Sequence, residues 1–245
     1  MKQLISFIRN RPWLTRESDS VPKPTIQTIP DWYRKADRFA VKPDTGEYWQ
    51  DPMVGGKIPT WKACPAIFDI MGTGYVYRTP CDIEFYEENG AIKVKVLDEK
   101  NKDFVQVRPP MHQFSHPMGY HEFHFAWWSD WAVKVPEGYS VLYTQPFNRF
   151  ELPFQTFSGV VETDEYSQAI HFPFYIKKLD AGEKIMLKKG TPIVQIIPFK
   201  REHWKIENKP FSQKVYDFIM KQNFQLKSII GRSYKLQWWK RKKYE

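Results

Sequence analysis

The sequence has few cysteines and no long apolar run. Its two cysteines, Cys64 and Cys81, match neither a zinc-ligand spacing nor a disulfide framework, which predicts reduced, buried thiols. No segment approaches the roughly 20 apolar residues of a membrane-spanning helix, and the apolar run after Met1 is too short for a signal peptide. We therefore expect a soluble cytoplasmic protein with no membrane span.

Aromatic residues, in contrast, make up 17% of the chain, and 19 prolines are spread along it. Because proline interrupts helices and aromatic side chains favour strands, this mixture predicts a mainly β fold of short strands. The strongest local signal is a hairpin around Asn89-Gly90. Apolar and polar residues alternate on both sides of this turn, from Cys81 to Tyr86 and from Ala91 to Leu97.

Other strands and two helices are predicted along the chain. The strands cover residues 4–8, 122–128, 131–135, 139–145, 159–162, 170–177, 184–187 and 193–199. A short helix over 32–39 follows Asp31, and from Ser212 to Ile230 the apolar period becomes helical. We expect the apolar face of this second helix to dock on the sheet or on a neighbouring subunit. The chain thus divides into an N-terminal strand, arm and short helix (1–59), a core domain (60–201), and a C-terminal basic helix and tail (202–245).

The net charge of +9 is concentrated at the C-terminal end. Thirteen basic and four acidic residues lie between Lys200 and Glu245, so the rest of the chain is balanced. The tail ends in two tryptophans followed by Lys240, Arg241, Lys242 and Lys243. Clustered cations beside tryptophans suit phosphate contact with base stacking, or a membrane surface. The tail is therefore a candidate contact for a nucleotide or another anionic partner.

Three runs occur in a familiar order: VPEGYSVLYTQP at 135–146, SGVVETDEYSQAIHFPF at 158–174 and IMLKKGTPIVQIIPF at 185–199. In this order they resemble the dUTPase and dCTP-deaminase superfamily. The resemblance implies a β-clip, dUTPase-like jelly-roll-type sheet, here with an N-terminal arm and a C-terminal helix. It also implies a homo-oligomer, with a trimer as the first expectation.

A second resemblance extends over nearly the whole chain. The residues that carry it include Cys64-Pro65, Gly74-Tyr75, Pro146 to Arg149, Gly159 to Asp164 and Gly190 to Ile193. They are similar to an uncharacterised family found in tailed phages of marine bacteria. The resemblance implies a phage origin, and therefore a place in the host cytoplasm or in the virion, but no activity.

Only part of the dUTPase nucleotide pocket is carried over to this sequence. Glu162 matches the carboxylate that activates water, where the family has Asp, and Asp164 and Gln195 match further pocket residues. Tyr166, which corresponds to the residue that stacks on the sugar, is displaced by the extra Glu165. The Pro-Arg-Ser phosphate segment is replaced by a stretch containing Asn148, with Arg149 as a substitute donor; Pro192 replaces an arginine. The resemblance thus leaves Glu162 and Asp164 as candidate catalytic residues, and Asn148, Arg149, Tyr166 and Gln195 as candidate ligand contacts.

Four histidines, His112, His116, His121 and His124, form a separate candidate site. Neutral imidazoles suit zinc, iron or nickel, and Glu122 could add a carboxylate. In a strand starting at His121, however, His121 and His124 fall on opposite faces. Local packing of hydrogen-bonded histidines among aromatic residues is the other interpretation.

Two functions of different class remain open from the sequence. The first is a non-catalytic binding or assembly protein of phage origin that uses the inherited fold without its chemistry. The second is a nucleotide-handling enzyme, such as a dUTPase-like pyrophosphatase, with a rebuilt site. We expect no cofactor for the first function and Mg²⁺ for the second.

Overall fold

The computed structural model describes residues 3–9, 21–53, 55–108, 115–228 and 233–245. These residues form two compact units. The first unit takes in the described residues up to 28 together with 74–201, and the second combines 29–73 with 202–245. Of the divisions predicted from the sequence, 201/202 falls on a unit boundary and 59/60 lies inside the second unit.

The first unit consists almost entirely of antiparallel strands. They are β1 Ser6–Arg9, β2 Lys23–Pro24, β3 Tyr75–Arg78, β4 Ile83–Glu88, β5 Ala91–Val96, β6 Val105–Val107, β7 Tyr120–Lys134, β8 Tyr139–Thr144, β9 Phe154–Thr156, β10 Gly159–Val161, β11 Ala169–Lys177, β12 Lys184–Leu187 and β13 Pro192–Lys200. Two short 3₁₀ helices, Thr25–Thr28 and Glu99–Phe104, connect them. The predicted mainly β class is confirmed.

The strands form three sheets. One five-stranded sheet has the order β1-β7-β11-β9, with β6 also paired to β7, and a second has the order β10-β8-β13-β3-β2. A three-stranded sheet has the order β12-β4-β5. The predicted hairpin is confirmed as β4 and β5, whose turn residues Asn89 and Gly90 both have positive φ, at 54° and 79°. Such angles are those of the hairpin turn that Asn-Gly favours.

One prediction within the first unit was wrong. The strands expected at 122–128 and 131–135 form the single strand β7. The pairing with β11 changes register between the two predicted segments. Ala169 and His171, two residues apart in β11, pair with Ala132 and Trp128, which are four residues apart in β7. At this point the Ser129 hydroxyl bonds to both backbone groups of Trp131. These side-chain bonds take the place of regular sheet pairing.

An aromatic core joins the sheets. Trp127 of β7 stacks on Phe174 of β11, with ring centroids 3.6 Å apart and planes 4° from parallel. Phe85 of the three-stranded sheet meets Phe174 edge to face at 6.0 Å. Thr156 adds a polar link, since it accepts a bond from Trp127 Nε1 (3.2 Å) and donates to the carbonyl of Ile193 (2.9 Å). The two larger sheets are thereby tied through one buried hydroxyl.

The second unit contains the helices α1 Asp31–Lys35, α2 Pro65–Gly72, α3 Gln213–Ser228 and α4 Ser233–Gln237, and a 3₁₀ turn, Trp61–Ala63. The helix predicted at 32–39 ends earlier than expected, at Lys35. The predicted C-terminal helix is confirmed as α3, although Ile229, Ile230 and Gly231 lie outside the described residues. No helix in the described part of the chain is long and apolar enough to cross a membrane.

Gly74, at the start of β3, occupies a position that only glycine fits. Its φ is +72°, and a Cβ atom there would lie 2.2 Å from the carbonyl oxygen of Ile196. Because that oxygen belongs to the backbone of the central strand β13, it cannot move aside without disturbing the sheet. The chain can therefore pack closely against β13 only because Gly74 has no Cβ atom.

We expect Gly74→Ala to lower the free energy of unfolding in urea by on the order of 3 kcal/mol, from strain and clash together. The matched control is Gly182→Ala, at φ +80° with no atom within 4 Å of the added Cβ. There only the backbone strain applies, and a loss of about 1 kcal/mol is expected. Equal losses at the two positions would contradict the assigned clash.

Candidate functional site

Asp164 is held in an ion pair at the end of β13. Nη1 of Arg201 donates to Asp164 Oδ1 at 2.9 Å, and Nη2 donates to Oδ2. Oδ2 also accepts a bond from the backbone N–H of Gly138 at 3.0 Å, in the turn before β8. Only 3% of the Asp164 side chain is exposed. The carboxylate thus fixes the 136–138 turn and the end of β13 to one point.

These contacts determine the charge of Asp164. The hydrogen bonds from Arg201 hold the pKa of the Asp164 carboxyl at about 2, although burial opposes the shift. The N–H of Gly138 acts in the same direction, because it too bonds to the ionised form. A carboxylate with so low a pKa is a weak proton acceptor near neutral pH.

Glu162 and Tyr166, each two residues from Asp164 in the chain, are exposed. The carbonyl of Glu162 accepts bonds from the N–H groups of Glu165 and Tyr166, at 3.1 and 2.9 Å, which closes a tight turn after β10. The pKa of the Arg201 guanidinium is raised by its hydrogen bond to Asp164 and also by the charge of the nearby Glu162 carboxylate. The turn therefore presents the carboxylates of Glu162 and Glu165 and the phenol ring of Tyr166 to solvent.

The remaining predicted ligand contacts are used inside the chain. Gln195 is fully buried on β13, and its Oε1 accepts a bond from the N–H of Phe147 at 3.0 Å. Arg149 donates to the Glu151 carboxylate and, at 2.9 Å, to the carbonyl of Thr28. Asn148, which lies between Phe147 and Arg149 in the chain, has a φ of +56°, so the backbone turns at this residue. These contacts fix the loop after β8.

The predicted pocket residues consequently form two groups rather than one. Asp164, Glu162 and Tyr166 lie near Arg201, just after β13, whereas Asn148 and Arg149 lie near Gln195. Six residues of nearly extended backbone separate Gln195 from Arg201, which corresponds to roughly 20 Å. A single copy of the chain does not bring the two groups together.

The histidines contact aromatic residues. Nδ1 of His121 accepts a bond from the N–H of Phe123 at 3.2 Å, and His124 is buried against Tyr175, with centroids 6.2 Å apart. Burial lowers the pKa of both imidazoles. His116 is exposed, and His112 lies outside the described residues. No group of three or more His, Cys, Asp or Glu among the described residues is arranged to hold a metal ion, and the predicted metal site stays a prediction.

The basic tail divides into two kinds of residue. Nζ of Lys242 pairs with the Asp69 carboxylate at 3.0 Å, and this contact raises the pKa of Lys242. Lys240, Arg241 and Lys243 are exposed. Lys242 is exposed as well, so contact of all four cations with an anionic partner stays a prediction.

Arg201 is the residue that sequence reasoning missed, since it was counted only as part of the basic C-terminal region. Besides Asp164, its guanidinium bonds to the carbonyl of Tyr139 (2.8 Å) and the hydroxyl of Ser140 (3.2 Å). The only signal was a Lys-Arg pair directly after a predicted strand. Such a pair does not reveal a partner 37 residues away.

No protein-family model matches this chain, and no curated protein sequence does either. Among solved structures, it is similar to a mutant dUTPase from phage phi11 of S. aureus, with 13% identity, a TM-score of 0.31, and coverage of 58% of this chain and 84% of that chain. A mutant dUTPase of Staphylococcus bacteriophage 80alpha with dUpNHpp gives 15% identity, a TM-score of 0.27, and coverage of 44% and 89%. Values this low carry no argument about activity, and the fold described above rests on the structure itself.

We expect Asp164→Asn to lower the urea midpoint of unfolding at pH 7. Because the folded-state pKa of Asp164 lies below its unfolded value, the ion pair stabilises the fold above about pH 4 and is lost as the pH falls towards 2. The difference between the variant and the native chain should therefore shrink across this window. Asp180→Asn removes an exposed carboxylate and is the matched control; a constant difference down to pH 2 would contradict the assignment.

Proposed function

We propose that this chain is a binding or assembly protein of phage origin, built on a β-clip type core and without nucleotide hydrolysis. The observation that carries the proposal is the use of Asp164 and Arg149, two of the three charged groups of the predicted pocket, in contacts within the chain. A protein of this kind would act in the host cytoplasm or as part of the virion.

Hydrolysis needs a carboxylate that can accept a proton from water and a cation that can bind phosphate. Asp164 is bonded to both Arg201 and Gly138, and its pKa of about 2 makes it a weak base. Arg149 donates to Glu151 and Thr28, and only 14% of its side chain is exposed. The engagement of both groups within the chain supports a role in the fold rather than in hydrolysis.

A nucleotide-handling enzyme is the second candidate, and one observation favours it. Glu162 and Tyr166 are exposed in the same tight turn, so a carboxylate and a phenol ring are available to a ligand at one place. In such an enzyme Glu162 would serve as the base, and Mg²⁺ would be required to bind the phosphates.

A homo-oligomer, with a trimer as the first expectation, is also proposed. Residues 202–212 form neither helix nor strand and are exposed throughout, although they include large apolar side chains. Trp204 is 88% exposed, Ile206 83% and Phe211 77%. The apolar residues Val215 and Phe218 of α3 continue this exposed surface. Burial of so much apolar area on a second copy of the chain would be strongly favourable.

The proposal predicts no pyrophosphate release from dUTP, or from a panel of other nucleoside triphosphates, in the presence of Mg²⁺. The physical reason is that Asp164 and Arg149 are both engaged in contacts within the chain. The panel is run on the native chain, Glu162→Gln and Asp164→Asn. Release by the native chain that is abolished in Glu162→Gln would overturn this proposal and establish the second candidate.

For the oligomer, light scattering after size exclusion is expected to give three times the 29.3 kDa mass of one chain. Trp204→Ser combined with Phe211→Ser should shift the mass towards one chain, because the apolar contact is lost. Leu4→Ser combined with Met118→Ser changes equally exposed apolar residues outside this segment and should leave the mass unchanged. A native chain that elutes as a monomer would refute the proposed assembly.

A further inference from the structure

The second unit contains an open pocket with a volume of about 430 Å³. Residues of α1, the 61–63 turn, the start of α2, α4 and the C-terminal tail line it. From its lining we infer that this pocket binds a nucleoside phosphate. The inference does not rest on the proposed function, because none of the residues matched to the dUTPase pocket belongs to this unit.

Three aromatic residues form the apolar part of the pocket. Tyr33 is buried, and its ring stacks near that of Phe68, with centroids 6.3 Å apart and planes 27° from parallel. Across the lining, Trp239 is half-buried and its Nε1 donates to the Asp69 carboxylate at 2.9 Å. These contacts hold the rings in place before a ligand arrives, so little side-chain ordering is needed on binding.

Four cations complete the lining: Arg38, Lys62, Lys235 and Arg241. None of the described residues that line the pocket is Asp or Glu, and the nearby Asp69 carboxylate is already paired with Lys242. The pocket is consequently positive, and an anion entering it meets no opposing carboxylate in the lining. The start of α2 adds to this field, since Cys64 makes no side-chain cap and the first turn has no acidic residue.

The cations and the rings are close enough to act on the same ligand. Nζ of Lys235 lies 5.6 Å from the centroid of the Trp239 ring. Lys235 and Arg241 are both exposed, so their long side chains can turn towards a phosphate at the mouth of the pocket. A ligand that stacks on Trp239 would therefore place an attached phosphate within reach of these cations.

A flat ring joined to a phosphate is the chemistry of a nucleotide. Any of the nucleic acid bases can stack on an aromatic side chain, and Arg and Lys bind phosphates. The volume lies in the range of small-molecule pockets and suits one nucleotide unit rather than a long strand. A free nucleotide and the phosphorylated end of a nucleic acid strand both present this unit.

The test is calorimetric titration of the full chain with AMP, dTMP and ribose 5-phosphate. We expect a nucleotide to bind at least tenfold more tightly than ribose 5-phosphate, because the sugar phosphate lacks a base. Lys235→Gln combined with Arg241→Gln should weaken nucleotide binding by roughly tenfold or more. The matched control, Lys240→Gln combined with Lys243→Gln, removes the same charge from the same tail outside the pocket lining, and should change affinity less than twofold.

The competing outcomes are distinct. Equal losses in the two double variants would show diffuse attraction to the basic tail and overturn the site, as would equal binding of ribose 5-phosphate or no binding of either nucleotide. Displacement of the nucleotide by a 5′-phosphorylated thymidine oligonucleotide, but not by its unphosphorylated form, would identify a strand end as a ligand source. If the oligonucleotide does not displace the nucleotide, the free nucleotide is the ligand. Neither result depends on hydrolysis, so the site and the proposed function succeed or fail separately.

Discussion

The stack of Trp127 on Phe174 is the contact on which the first unit depends. The two rings lie on neighbouring strands of one sheet, and Phe85 and Phe154 close around them from the three-stranded sheet and from β9. Large aromatic rings in such a core supply much of the apolar burial that stabilises a fold. The indole also needs a hydrogen-bond partner when it is buried, and Thr156 supplies one while bonding onward to β13. A single polar link thus joins two sheets without leaving an unsatisfied donor.

Several polar residues of the first unit join its turns and loops to the strands. Asp164 joins the turn before β8 to the end of β13, and Gln195 joins the middle of β13 to the loop after β8. In each case a side chain whose type suggests ligand binding satisfies a backbone N–H instead. Buried polar groups must find partners, and the backbone N–H groups of the fold supply them here. Residue type at a familiar position therefore does not establish function.

The second unit uses charge differently. In its ion pair between Lys242 and Asp69, the same Asp69 carboxylate also accepts the bond from Trp239, whereas Lys240, Arg241 and Lys243 stay exposed. As a result, the basic tail is not uniform, because one lysine is structural and Arg241 belongs to a pocket. A pocket bounded by hydrogen-bonded or stacked rings and by exposed cations combines a low ordering cost with long side-chain reach, which is a common basis of anion recognition.

Local pattern was enough to predict the strand-rich class, the Asn89-Gly90 hairpin, strands β8 and β10 to β13, and helix α3. These depend on alternation, on turn residues and on helical period, all of which act over a few neighbouring residues. The break in β7 was misjudged because pairing with β11 continued the strand through it. Site chemistry was decided only by the tertiary structure: Arg149 meets Thr28 across 121 residues, and Trp239 meets Asp69 across 170. The sequence determines which chemical groups the side chains carry. Whether such a group can bind a ligand depends on the partner that the tertiary structure places beside it.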